Sequence, residues 1–212
     1  MVSERATGCL PLTGIKAAPA GAPIALERQG DRLVAVYVDR YGTLQMLSAD
    51  GNGPWTGPLP LSPPEAARPG TAVALGHQGE EQLDAVFIGN DGAVYVAWTT
   101  GEYPWQGPVG LTEKDVARPK ASVALHRRTE DQLDAVFISK KGALMVLSAV
   151  VGVGGWQGPV AITGDGTAPP LAPVILDDQG GQLDAFFADG NGVLNVMWPG
   201  PDGVWLGPVP VS

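Results

Sequence analysis

One phrase recurs down this chain at a fixed step. "QLDAVFIGNDGAVYVAW" begins at Gln82, "QLDAVFISKKGALMVLS" at Gln132 and "QLDAFFADGNGVLNVMW" at Gln182, each 50 residues after the last. Gly42, Gly92, Gly142 and Gly192 keep that step, as do Pro19, Pro69, Pro119 and Pro169, and Leu33, Leu83, Leu133 and Leu183. "RLVAVYVDRYGTLQMLS" is therefore a first copy that has drifted. A tryptophan motif closes each copy: Trp55-Thr-Gly-Pro, Trp105-Gln-Gly-Pro, Trp156-Gln-Gly-Pro and Trp205-Leu-Gly-Pro. The third slips by one residue inside "AVVGVGGW", which marks a loop there. A period of this length points to one supersecondary unit repeated, not to an irregular globule.

Each unit contains short apolar runs, in the second copy "TAVAL", "LDAVFI", "AVYVAW" and "GPVGL". They have strand length and are rich in Val, Phe, Tyr, Trp and Ile. No sustained 3.6-residue stripe supports a helix. The middle turns "DRYGT", "GNDGA", "SKKGA" and "DGNGV" place Gly where a short hairpin needs a positive φ, so successive strands are antiparallel. In "LDAVFI", Leu83, Ala85 and Phe87 share one face, and Asp84, Val86 and Ile88 the other. Both faces are largely apolar, so the sheet must be covered on both sides.

A four-stranded sheet sandwiched between copies of itself is a propeller blade, and about 50 residues suits one. The expected class is all-β: a β-propeller of four four-stranded antiparallel blades plus an extra N-terminal strand. The whole chain, 1–212, reads as one domain, with repeats at about 19–68, 69–118, 119–168 and 169–212 after a lead-in at 1–18. A linear β-solenoid fits less well, since its coils are shorter and lack three hairpins per repeat. The extra strand is read from "GCLPLTG", which matches "GPLPLS", the fourth strand of a blade whose first three are missing. A ring closed within one chain has no obvious place for it, so either it packs loosely or it completes something in another subunit; four blades are then half of a larger ring or a segment of a bigger protein, and a homo-oligomer is the expectation.

Composition narrows the function classes. The chain carries 30 Gly and 20 Pro, but they punctuate apolar runs instead of clustering, which argues for turns over disorder. A net charge of −9 repels a polyphosphate, so nucleic acid is not an expected partner. No apolar stretch approaches the roughly 20 residues of a membrane span. "MVSERATGCLPLTG" lacks a secretory apolar core, and the compartment stays open. Cys9 is the single cysteine, which rules out an intrachain disulfide and a multi-cysteine zinc site. No cofactor is expected.

With these motifs laid out, "LDAVFIGNDGAVYVAW…PWQGPV" resembles the repeat of bacterial and fungal sugar-binding propellers, the group that includes the Photorhabdus-type fucose lectins. The likeness runs from about residue 20 to the end. It implies sugars held in clefts between neighbouring blades, lined by aromatic and polar side chains. Glycans, fucosylated or O-methylated ones included, are the implied partners. A weaker likeness to hemopexin-type four-bladed domains lacks their closing disulfide and Tyr-Trp pattern.

Candidate binding residues follow. Trp55, Trp105, Trp156 and Trp205 could stack on the apolar face of a pyranose, or seal one blade against the next. Trp98 and Trp198 alternate with Ser48 and Ser148, and Arg68 and Arg118 with Ala18 and Ala168, so neither pair is needed in every blade. Asp84, Asp134 and Asp184 open the second run, where the first copy has Val34. They could accept sugar hydroxyls or bond nearby backbone. No Asp-box, Gly-x-Ser-x-Gly elbow, His-Glu-x-x-His or calcium-loop spacing is present, and His77 and His126 occupy different repeat positions. Catalysis is not expected. The reading is a lectin-like propeller, and the alternative is a non-catalytic protein-interaction or scaffold propeller, part of a toxin or secretion assembly.

Overall fold

A computed structural model describes residues 11–101 and 103–211. They form four four-stranded antiparallel sheets and no helix. The first sheet holds β1 (Ile24–Gln29), β2 (Arg32–Val38), β3 (Leu44–Asp50) and β4 (Thr56–Pro60). The second holds β5 (Val73–Gln78), β6 (Gln82–Ile88), β7 (Val94–Thr100) and β8 (Gln106–Gly110). The third comprises β9 (Val123–Thr129), β10 (Gln132–Ile138), β11 (Leu144–Val150) and β12 (Trp156–Ala161). The fourth comprises β13 (Val174–Asp178), β14 (Leu183–Ala188), β15 (Leu194–Pro199) and β16 (Trp205–Pro210). In every sheet the strands lie side by side in chain order.

The predicted faces are the observed ones. Leu83 and Phe87 pack with Val34, Val36, Val38 and Leu44 to fill the seam between the first and second sheets. Val86, Ile88 and Val94 point the other way, meeting Val123, Ala135 and Phe137 in the second seam. Val136, Ile138 and Leu144 meet Leu183, Ala185 and Phe187 in the third. A strand sends alternate side chains to opposite faces, so one run can serve two seams.

The sheets fan out. First strands of adjacent sheets pack on one another, β1 on β5, β5 on β9 and β9 on β13, and contacts between sheets concentrate there. The first strands thus stand nearest a common axis. β1 and β13 make no such contact, so among the described residues the fan stays open between the first and last sheets.

Two glycine positions explain the repeated turns. Gly42, Gly92 and Gly142 have φ of 76°, 78° and 84°. A Cβ on them would stand 2.2, 2.5 and 2.5 Å from the carbonyl oxygens of Ala67, Ala117 and Ala168, so only glycine fits. In the Trp-x-Gly-Pro motif, Gly57 has φ 105°, and a Cβ there would lie 2.6 Å from the Met46 carbonyl oxygen. Opposite this glycine the β3–β4 register shifts between Met46 and Ser48, and equivalent shifts recur in the other three sheets.

The extra N-terminal strand is not borne out. Gly8, Cys9 and Leu10 of "GCLPLTG" lie outside the described residues, and Pro11–Gly14 carries no strand. Among the described residues no helix is long and apolar enough to cross a membrane. Among the same residues no group of three or more His, Cys, Asp or Glu could hold a metal ion.

Candidate functional site

The second and third blades enclose a cleft of about 350 Å³, lined by Gln78, Gln82, Asp84 and Trp98 from one blade and Gly155 and Trp156 from the next. Val96, Val109 and Leu111 form its apolar floor. Strand register assembles the polar edge: Trp98 of β7 sits directly opposite Asp84 of β6. Gln82, two residues before Asp84, is on the same face and donates from Nε2 to Asp84 Oδ1 at 2.7 Å. Trp156 opens β12 and reaches across the seam. Both indoles are half-buried and pack against the seam core.

Asp84 sets the electrostatics. Its side chain is fully buried, and burial raises its pKa to about 6, against the lowering influence of Gln82, the Trp156 indole N–H and His77. The indole N–H lies near enough to favour the charged form, yet Oδ2 has no hydrogen-bond donor of good geometry. A buried carboxylate oxygen with an open acceptor position is costly unless something donates to it. Its setting beside two indoles is suited to a ligand with hydroxyl groups on one side and C–H surface on the other.

The homologous clefts differ. Between the first and second blades the cavity is larger, about 540 Å³, and Trp105 stands where Trp156 does in its neighbour. Val34 replaces the carboxylate, and Ser48 replaces the second indole, its hydroxyl paired with Thr56 Oγ1 at 3.2 Å. Between the third and fourth blades Asp134 is buried, but its Oδ1 accepts from Ser148 Oγ at 2.6 Å and Gln132 Nε2 at 2.8 Å. Its Oδ2, like that of Asp84, has no hydrogen-bond donor, but Arg128 Nη1 forms an ion pair with it at 3.6 Å. The Ser/Trp alternation therefore has a local meaning: serine is absorbed by internal hydrogen bonds, whereas Trp98 lines a cavity.

Of the sequence-predicted residues, the structure brings Trp98 and Trp156 into one cleft and places Trp105 in the neighbouring one. Trp55, Trp105, Trp156 and Trp205 all pack against buried apolar clusters, so each also seals a blade face. Trp198 is half-buried in β15 of the fourth blade. Arg68 and Arg118 lie elsewhere. Both are exposed, and Arg68 belongs to a loop docked on the β2–β3 hairpin, at the opposite end of the blade from Trp98. There it lines a separate hollow with Arg40, Tyr41, Glu65 and Asn90. Gln78 and Gln82 escaped the sequence reading. The repeated Gln immediately before "LDA" was visible at positions 82, 132 and 182 and could have flagged the carboxylate's partner.

No protein-family model matches the chain, and no curated protein matches it. Solved structures do. BP39L lectin from Burkholderia pseudomallei superposes with a TM-score of 0.92 at 36% identity, over 99% of this chain and 61% of that one. This chain thus spans about three fifths of that lectin's length. AofleA from Arthrobotrys oligospora gives 0.64 at 17% identity, over 93% of this chain and 59% of that one. The fungal lectin of Aleuria aurantia, a six-bladed β-propeller, gives 0.65 at 14% identity over 89% of this chain and 60% of that one. The chain therefore shares its fold, and with the Burkholderia lectin over a third of its matched sequence, with the bacterial and fungal sugar-binding propeller lectins that its repeats resemble.

Proposed function

We propose that this chain is a non-catalytic carbohydrate-binding propeller module, with its principal site in the cleft between the second and third blades. The observation that carries this reading is the pairing of Trp98 and Trp156 around the open acceptor oxygen of buried Asp84. A pyranose would rest its C–H face on an indole and donate a hydroxyl to Asp84 Oδ2, while Gln78 and Gln82 serve as further polar partners. The 36% identity with a bacterial lectin supports the same reading, and fucose, named for the Aleuria aurantia lectin, is the first sugar to try. A single small sugar buries little apolar area, so one site binds weakly and several sites on one rigid body gain by multivalency.

The chain reads as one propeller domain, 1–212, that works as a homo-oligomer. Arg68 and Arg118 are proposed as secondary contacts at the hairpin end, not as part of the indole cleft.

The test is a glycan array including fucosylated and O-methylated sugars, followed by titration of the best sugar against Trp98→Ala. Binding should fall at least tenfold in the variant with the circular dichroism spectrum unchanged. Silence across the array from folded protein would favour the protein-interaction reading instead.

A further inference from the structure

The second and third blades carry the same buried aspartate, and only one of the two has a cation beside it. In the third blade, Gln132 Nε2 donates to Asp134 Oδ1 at 2.8 Å, and Arg128 Nη1 lies 3.6 Å from Oδ2. In the second, Gln82 Nε2 donates to Asp84 Oδ1 at 2.7 Å, and the residue 50 positions before Arg128 is Gln78. Both aspartates are 0% exposed. Burying a carboxylate is costly unless it is paired. Arg128 offsets that cost for Asp134. Among the described residues, no Lys or Arg is ion-paired with Asp84. His77 pairs in register with Leu83, not Asp84, and is turned to the opposite seam, where its Nε2 donates to the Arg28 carbonyl oxygen at 2.7 Å.

Strand register explains the difference. The β9–β10 ladder shifts between Gln132 and Leu133, whose partners are Thr129 and Arg127, so Arg128 bulges out between them. A bulge re-aims the side chain it carries, and this one turns a guanidinium onto Asp134. The β5–β6 ladder runs unbroken there. Gln78 pairs with Gln82 and accepts from its Nε2 at 3.0 Å, so it brings no charge to Asp84.

The surroundings of Asp84 suit a cation. Trp98 stands where Ser148 donates to Asp134 Oδ1 at 2.6 Å, and with Trp156 it lines the cavity of about 350 Å³ around Asp84. An indole face attracts an ammonium, more strongly where water is displaced. A hydrogen bond from an ammonium to a carboxylate is also stronger than one from a hydroxyl. The turn between Gln78 and Gln82 carries the exposed Glu80 and Glu81, so the rim is negative as well.

We propose that the ligand held by Trp98, Trp156 and Asp84 carries a free ammonium group, which meets Asp84 Oδ2 as the Arg128 guanidinium meets Asp134 Oδ2, and that its class is the non-acetylated hexosamines. Gln78 and Gln82 serve the ring hydroxyls. The sugar ring rests on the carbohydrate reading above; the cation rests on the comparison of the two aspartates.

Titration calorimetry at neutral pH tests the charge. The probes are glucosamine, galactosamine and mannosamine, each beside its parent hexose and its N-acetyl form. At least one amine should bind roughly tenfold tighter, or more, than both of its neutral forms, and the preference should shrink in high salt. Two variants locate it. Asp84→Asn removes the carboxylate, and Gln78→Arg supplies the cation that the third blade already has. Each should abolish the preference with an unchanged circular dichroism spectrum, and either one suffices where the other does not fold. Neutral hexoses that bind as tightly as the amines would overturn the cation and leave the carbohydrate reading standing. A preference that survives in the variants would overturn the site, since the acidic surface would then be holding the amine. Silence from every probe would also overturn the cation, and the carbohydrate reading would then stand or fall on the glycan array alone.

Discussion

Asp84 concentrates the tension between stability and binding in one carboxyl. Its pKa is raised to about 6 by burial, so the folded state holds its proton more tightly than the unfolded chain does. Stability should then be greatest below about pH 4 and fall as pH rises toward 6, by an amount on the order of 3 kcal/mol for a shift of this size. Asp84→Asn should accordingly unfold at higher denaturant concentration than the wild type at pH 7, by ~1–3 kcal/mol, with the gap closing near pH 4. Denaturant titrations at the two pH values check this; an Asn variant less stable at pH 7 would mean that the carboxylate is well solvated. Sugar affinity should move oppositely, weakening as pH falls through about 6 and the carboxylate is protonated. The three Asp positions were legible in the repeat, but not their inequality. Both Asp84 and Asp134 keep an Oδ2 without a hydrogen-bond donor, but Asp134 has Arg128 at 3.6 Å and Ser148 on its Oδ1, whereas Asp84 lies beside Trp156, a residue 72 positions away.

At the scale of elements, the hairpin glycines offer an internal control. Gly92 and Gly192 have nearly the same φ, 78° and 80°, so an added Cβ costs each about 1–2 kcal/mol of backbone strain. Only Gly92 is also pressed against a neighbour, 2.5 Å from the Ala117 carbonyl oxygen. Gly92→Ala should therefore cost at least ~1 kcal/mol more than Gly192→Ala. Equal thermal shifts would show that the loop yields without penalty. Strands and turns were readable because alternation and the Gly spacing are local signals. Arg68 was not: a loop residue beside a repeated Pro carries no signal of which end of a blade it occupies, and the loop's hydrogen bonds to Gly42 and Asn90 put it at the end away from Trp98.

For the whole molecule, assembly and stability are linked. Association as the homo-oligomer proposed above stabilises the folded state by mass action, so the melting temperature should rise with protein concentration. Scanning calorimetry over a wide concentration range checks this, and a melting temperature independent of concentration would count against the homo-oligomer. The repeat by itself determined the unit: four antiparallel strands, two apolar faces and a glycine hairpin follow from alternation, strand composition and spacing, all of which act over a few residues. Only the tertiary structure decided which repeats are equivalent. Whether a carboxylate, an indole or a hairpin finds a partner depends on what the adjacent blade places across the seam, and that neighbour is distant in sequence.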